Sequence, residues 1–165
     1  MGHGTARRGH EILAHTADAG LCARAPDLPS LFEEAAAALG ELAADVDPAE
    51  PADEIRVELV ALDLVGLAYA WLNELIGLAD VRAAAIGRSR VDSVEVEPGD
   101  RPGKGPGEAG ERPGEGSVVL RAIVDLVPCG RGARPRLDVK SATYHGLTVE
   151  PDPGGGWTLT AYLDV

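Results

Sequence analysis

Apolar side chains recur along this chain with two periods, and each period marks a different kind of element. Leu28, Leu31, Phe32, Ala35, Leu39 and Leu42 follow helical spacing behind Asp27, a suitable N-cap, with Pro29 in the first turn. The spacing predicts a helix over residues 28–44, ended by Pro48 and Pro51, and its many alanines favour helix and allow close approach to a sheet. Leu64, Leu67, Ala68, Trp71, Leu72, Leu75 and Leu78 form a second, broader stripe behind Asp63, which reads as the main core helix. Trp71 and Tyr69 on that helix are expected to pack in the core, and Gly66 and Gly77 to weaken it locally while permitting close packing on a sheet.

Period two governs the rest. Residues 11–15 and 19–25 read as strands joined by a tight turn, and residues 55–60 as another. Beyond Val81 the stretches 82–88, 91–97, 117–127, 137–149 and 157–165 read as strands, with turns at 129–135 and 151–156. Residues 98–116 are dominated by Gly and Pro, cannot bury enough surface to offset their ordering entropy, and read as a flexible hairpin loop. Two early helices followed by several strands give an α+β order. The expected architecture is a two-layer sandwich, a mixed or mostly antiparallel sheet with both helices on one face, in a single domain spanning residues 1–165.

Charge narrows the possible partners. With 15 Lys and Arg against 27 Asp and Glu, the net charge is −12, which opposes direct binding to a phosphate backbone. RNA, if involved, is expected to be held by another protein. Cys22 and Cys129 are the only cysteines, too far apart in sequence for a CxxC motif, so neither a disulfide framework nor a thiolate metal site is indicated. The first eight residues carry no apolar stretch, and the longest apolar segment is interrupted by Asn73, Glu74 and Asp80, so a cytoplasmic, reduced protein is expected.

The chemistry concentrates at the two ends of the chain. Asp18 lies in the segment His15-Thr16-Ala17-Asp18-Ala19-Gly20, and the sequence closes on Asp164-Val165. Strands at opposite chain ends are often neighbours in a compact sheet, so oxygens of Asp18, Asp164 and Val165 can meet around one hard cation. An all-oxygen set favours Ca²⁺ or Mg²⁺, whereas added imidazoles from His15 and His145 would tilt the site toward Zn²⁺ or Mn²⁺. Lys140 is a candidate salt-bridge partner for these carboxylates or a contact to a partner's phosphate or acidic group. No GxSxG, HExxH or phosphate-loop pattern is present, no dinucleotide-binding GxGxxG follows a strand, and no serine adjoins a motif that would activate it.

The string from His15 to Leu21, the Leu31-Phe32-Glu33-Glu34-Ala35-Ala36 helix, the Trp71-Leu72-Asn73-Glu74-Leu75 segment, the run Val139-Lys140-Ser141-Ala142-Thr143-Tyr144-His145 and the closing Leu163-Asp164-Val165 together resemble the archease family. The resemblance implies an α+β sandwich and a non-enzymatic cofactor of the RtcB-type RNA ligase, active in tRNA splicing or RNA repair. That ligase uses GTP to join ends bearing a 2′,3′-cyclic phosphate or 3′-phosphate to a 5′-hydroxyl, and the cofactor assists guanylylation and multiple turnover. The family's divalent cation, assigned as Ca²⁺, carries over to Asp18, Asp164 and Val165, with His15, Lys140 and His145 as possible surrounding or partner-contacting groups. Residues 129–136 depart from the family, being Arg-rich where members commonly carry acidic and histidine residues, and the 98–116 loop is longer than usual. Two other readings stand beside this one: a metal-dependent hydrolase using His15 or His145 as general base, and an acidic chaperone-like binding module with a structural metal.

Overall fold

The computed structural model describes residues 7–14, 18–97 and 116–165. Two helices and ten strands follow in the order β1 (Gly9–Ala14), β2 (Ala19–Ala25), α1 (Leu28–Ala43), β3 (Ala44–Val46), β4 (Asp53–Ala61), α2 (Leu64–Arg82), β5 (Ala84–Glu97), β6 (Ser117–Pro128), β7 (Ala133–Pro135), β8 (Ser141–Ala142), β9 (Thr148–Pro151) and β10 (Trp157–Asp164). The fold is α+β, and all pairings between these strands are antiparallel. One sheet runs β1-β2-β10-β8, with β9 also on β10; a second runs β4-β6-β5; β3 and β7 form a short ribbon.

Both helices begin as the sequence dictates. The Asp27 carboxylate accepts from the Ser30 amide at 2.8 Å and the Asp63 carboxylate from the Gly66 amide at 2.6 Å, each satisfying one N-terminal donor that lacks a partner within the helix. Helix α1 stops at Ala43, before either Pro48 or Pro51, because Ala44 turns extended and pairs with Pro135. The proline argument therefore misplaced the cause: the tertiary pairing of β3 with β7 ends the helix, and the expected turn over residues 129–135 holds β7. Helix α2 continues through Arg82 and closes on Ala83 in the left-handed region, φ 46°, so the strand expected from residue 82 begins two residues later. Residues 82–88 and 91–97 belong to one 14-residue strand whose pairing with β6 shifts between Ile86 and Ser89 and between Val91 and Ser93. Such bulges break the alternation that a sequence reading relies on.

The core is apolar and continuous. Leu21, Ala23 and Ala25 from β2, Leu159, Ala161 and Leu163 from β10, and Leu120, Val124 and Leu126 from β6 pack with both helices into one cluster. Among its largest fully buried members, Trp71 and Phe32 are also joined by a hydrogen bond, the Trp71 indole donating to the Phe32 carbonyl at 2.9 Å. Each such ring contributes roughly 2–3 kcal/mol by leaving water. Helix α2 is long and apolar enough to cross a membrane by length and composition, yet Leu67, Trp71, Leu72 and Leu75 are buried in this core.

Close helix–sheet contact falls at Gly40, where a Cβ would stand 2.9 Å from the Ile86 carbonyl oxygen. Gly66 and Gly77, expected to play that part, do not: an added Cβ meets nothing within 4 Å at Gly77, and at Gly66 it meets Asp63 and Ala61 beside the helix start. The stretch 137–149, expected as one strand, is two short strands separated by an excursion over residues 143–147 containing Gly146 at φ 68°. The 98–116 loop falls almost wholly outside the described residues; Glu97 and Ser117 face each other where β5 and β6 meet it.

Candidate metal-bearing edge

The pairing of β2 with β10 decides which functional residues meet. Leu163 lies opposite Ala19 and Leu21 opposite Ala161; Leu163–Ala19 is the last pair of the antiparallel ladder, and the next residue on each strand is Asp164 and Asp18. Directly opposed residues point to the same face, and Leu163 is buried against the helices. Asp164 therefore turns to the other face, where it and Asp18 are exposed. On the far side of β10, Ser141 lies opposite Asp164, and the Lys140 amide donates to the Asp164 carbonyl at 2.8 Å. The Lys140 ammonium donates to the Val165 main-chain oxygen at 3.3 Å. Asp18, Asp164, Val165 and Lys140 thus occupy one end of three adjacent strands.

His145 is exposed, within the 143–147 excursion rather than on the ladder beside Asp164. His15 lies outside the described residues. Among the described residues no group of three or more His, Cys, Asp or Glu side chains is placed to hold a metal ion, so a cation here would need main-chain oxygen from Val165 in addition to the two aspartates. Those donors are all hard oxygens, and both carboxylates are accessible from solvent, which fits Ca²⁺ or Mg²⁺ better than a soft or imidazole-bound ion.

The surroundings of this edge are held from both sides, by residues that sequence reasoning did not single out. The Tyr162 ring, two residues before Asp164 and on the same face, lies against Gly20 and Gly146; a Cβ at Gly146 would stand 2.7 Å from its ring. Asn73, the only asparagine of the chain, donates to the Ala142 carbonyl at 3.2 Å and accepts from the Ala142 amide at 3.0 Å. Its amide acts as one rung of a strand along the open edge of β8 and ties α2 to the segment that carries Lys140. A lone amide in a largely apolar helix was the available signal, because an amide withdrawn from water needs such partners. Tyr69 packs against the core as expected, but only half-buried, and its outer face stacks on the exposed Tyr144 with ring centroids 4.0 Å apart.

At the opposite edge of the same sheet, His10 of β1 bonds Glu34 and Glu41 of α1, each at 2.9 Å, and Arg8 pairs with Glu34 and with Glu33, the latter at 2.8 Å. Burial disfavours the imidazolium of His10, but the two glutamates outweigh it and raise the pKa above the ordinary value. Burial likewise opposes ionisation of Glu34, and His10 and Arg8 outweigh it and hold its pKa low. The second oxygen of Glu33 accepts from the Val91 amide at 2.8 Å, where the β5 pairing shifts.

Comparison with known proteins agrees with this architecture. Residues 10–165 match the model of the Archease protein family (MTH1598/TM1083). The archease of Thermococcus gammatolerans is 31% identical over 147 residues, covering 89% of this chain and 92% of that protein. The archease of Methanopyrus kandleri is 28% identical over 156 residues, covering 94% and 98%. The solution structure of Methanobacterium thermoautotrophicum protein 1598 superposes with a TM-score of 0.71 at 30% identity, covering 96% of this chain and all of that one. With the family's match running across both helices and both sheets, this chain belongs to the archease family.

Proposed function

We propose that this chain is a non-enzymatic protein activator of an RtcB-type RNA ligase, assisting guanylylation and multiple turnover in tRNA splicing or RNA repair in the cytoplasm. The observation that supports the reading is the β2–β10 register, whose last pair, Ala19 with Leu163, is followed by Asp18 on one strand and by Asp164 and Val165 on the other. Asp18, Asp164 and the Val165 main-chain oxygen would hold a divalent ion, Ca²⁺ first and Mg²⁺ or Mn²⁺ as alternatives. When bound, the ion supplies a fixed positive charge that neutralises the clustered oxygens and can accept a further oxygen ligand from a partner.

The chain's own residues supply binding and position. The antiparallel ladder fixes the residues next to the two carboxylates, Lys140 is anchored through its amide to Asp164, and Asn73 fixes β8 against α2. A rigid, charged edge can activate a ligase by binding its guanylylation-competent conformation more tightly than its other states. The net charge of −12 suits a basic protein surface as partner and leaves RNA to the ligase.

Single-turnover guanylylation of a cognate ligase with GTP tests the reading. Asp18→Ala and Asp164→Ala are expected to reduce stimulation about tenfold or more, since each removes an ion ligand, while both variants keep the parent's circular dichroism and, without added divalent ion, its melting temperature. Undiminished stimulation by both would remove this edge from the mechanism. Turnover of RNA or nucleotide by the purified chain alone would replace activation with hydrolysis.

A further inference from the structure

Lys140 is unusual in this chain before its contacts are considered. It is one of two lysines, with Lys104, among fifteen basic side chains, so arginine fills almost every other cationic position. Arginine is the better residue for a fixed, bidentate ion pair, whereas lysine is a mobile point charge on a flexible stem. Lys140 places that point charge on the Val165 main-chain oxygen, one of the three oxygens of the proposed cation site. Its own backbone cannot follow a displaced head group, because its amide is bonded to Asp164 and Ser141 is in register with Asp164. The side chain has somewhere to go, since Lys140 also lines a cavity of about 650 Å³ between the ends of α1 and α2 and residues 135–140, whose lining includes the acidic residues Asp80 and Asp138.

We propose that Lys140 is a tethered counterion that competes with the divalent cation for the Val165 oxygen, so that it sets the cation affinity of the site and is displaced when the ion binds. The inference rests on the metal-bearing edge described under Proposed function. An ammonium and a divalent ion cannot share one oxygen at close range without strong repulsion, and near a solvated surface that repulsion corresponds to a factor of about five to fifteen in binding. The displaced ammonium becomes available to an acidic or phosphate group of whatever docks on this edge, which couples ion binding to recognition.

Calorimetric titration of the full chain with CaCl₂ or MgCl₂ alone tests this without any ligase. Lys140→Met is expected to bind the ion about five- to fifteen-fold more tightly than the parent at low ionic strength, with the gap narrowing as salt rises. Lys140→Arg, which keeps the charge, is expected to stay within about threefold of the parent. Equal or weaker binding by Lys140→Met, with the parent binding normally, overturns the competition and leaves the metal-bearing edge intact; absence of binding by both overturns the two readings together. Reductive ¹³C-methylation supplies a second readout, because Lys104 and Lys140 are the only side chains it labels. Saturating Ca²⁺ is expected to shift the Lys140 methyl resonance and leave that of Lys104 in place, and an unmoved Lys140 signal would rule out displacement.

Discussion

At the residue scale the edge depends on what glycine leaves out. Gly146 combines a left-handed φ of 68° with the face of the Tyr162 ring, and a Cβ would stand 2.7 Å from Cε2. Both penalties fall on one substitution, so Gly146→Ala is expected to cost about 2–3 kcal/mol in urea unfolding, from backbone strain together with displacement of the ring. Gly77, with nothing within 4 Å of an added Cβ, provides the control: Gly77→Ala should be neutral or stabilising by up to about 1 kcal/mol, through helix propensity alone. A glycine in sequence is equally compatible with both situations. Asp18 and Asp164 were different, because their chemistry is stated by residue type and only their meeting had to be supplied by the fold.

At the scale of elements, β1 is joined to α1 by a titratable clamp of His10, Glu34, Glu41, Arg8 and Glu33. The histidine pKa is raised above 6.5, so its contribution is complete below that value and lost as pH rises through the elevated one. The Glu34 pKa is lowered below 4.5, so its contribution is complete above that value and lost as pH falls through the depressed one. The clamp is therefore strongest between these ordinary values. His10→Gln is expected to cost on the order of 1 kcal/mol near pH 5.5 and clearly less near pH 8.5, as read from urea midpoints of parent and variant at both pH values. A cost that stayed constant or grew with pH would contradict the assignment. Helices α1 and α2 were legible because their caps and stripes are local, whereas β5 was read as two strands because its bulges depend on β6.

For the whole molecule, the decisive fact is that β2, near the start of the matched region, lies directly beside β10 at its end, so ion binding should report on global folding. A ligand held only by the folded state stabilises it by about 2.7 kcal/mol at a hundredfold excess over its dissociation constant. Saturating Ca²⁺ is accordingly expected to raise the melting temperature of the parent by several degrees, and of Asp164→Asn by much less; equal shifts would mean the ion acts elsewhere. By itself the sequence determined the helix starts, the apolar face of α2, the α+β class and the identity of the oxygen-bearing residues, because caps, periodicity and side-chain chemistry are encoded within a few neighbouring positions. The tertiary structure alone decided that α1 ends where β3 finds β7, that Asn73 completes the edge of β8, and that the Lys140 head group rests on Val165. These are contacts between segments 25 to 91 residues apart, and no local pattern can specify a partner that only the folding of the intervening chain brings near.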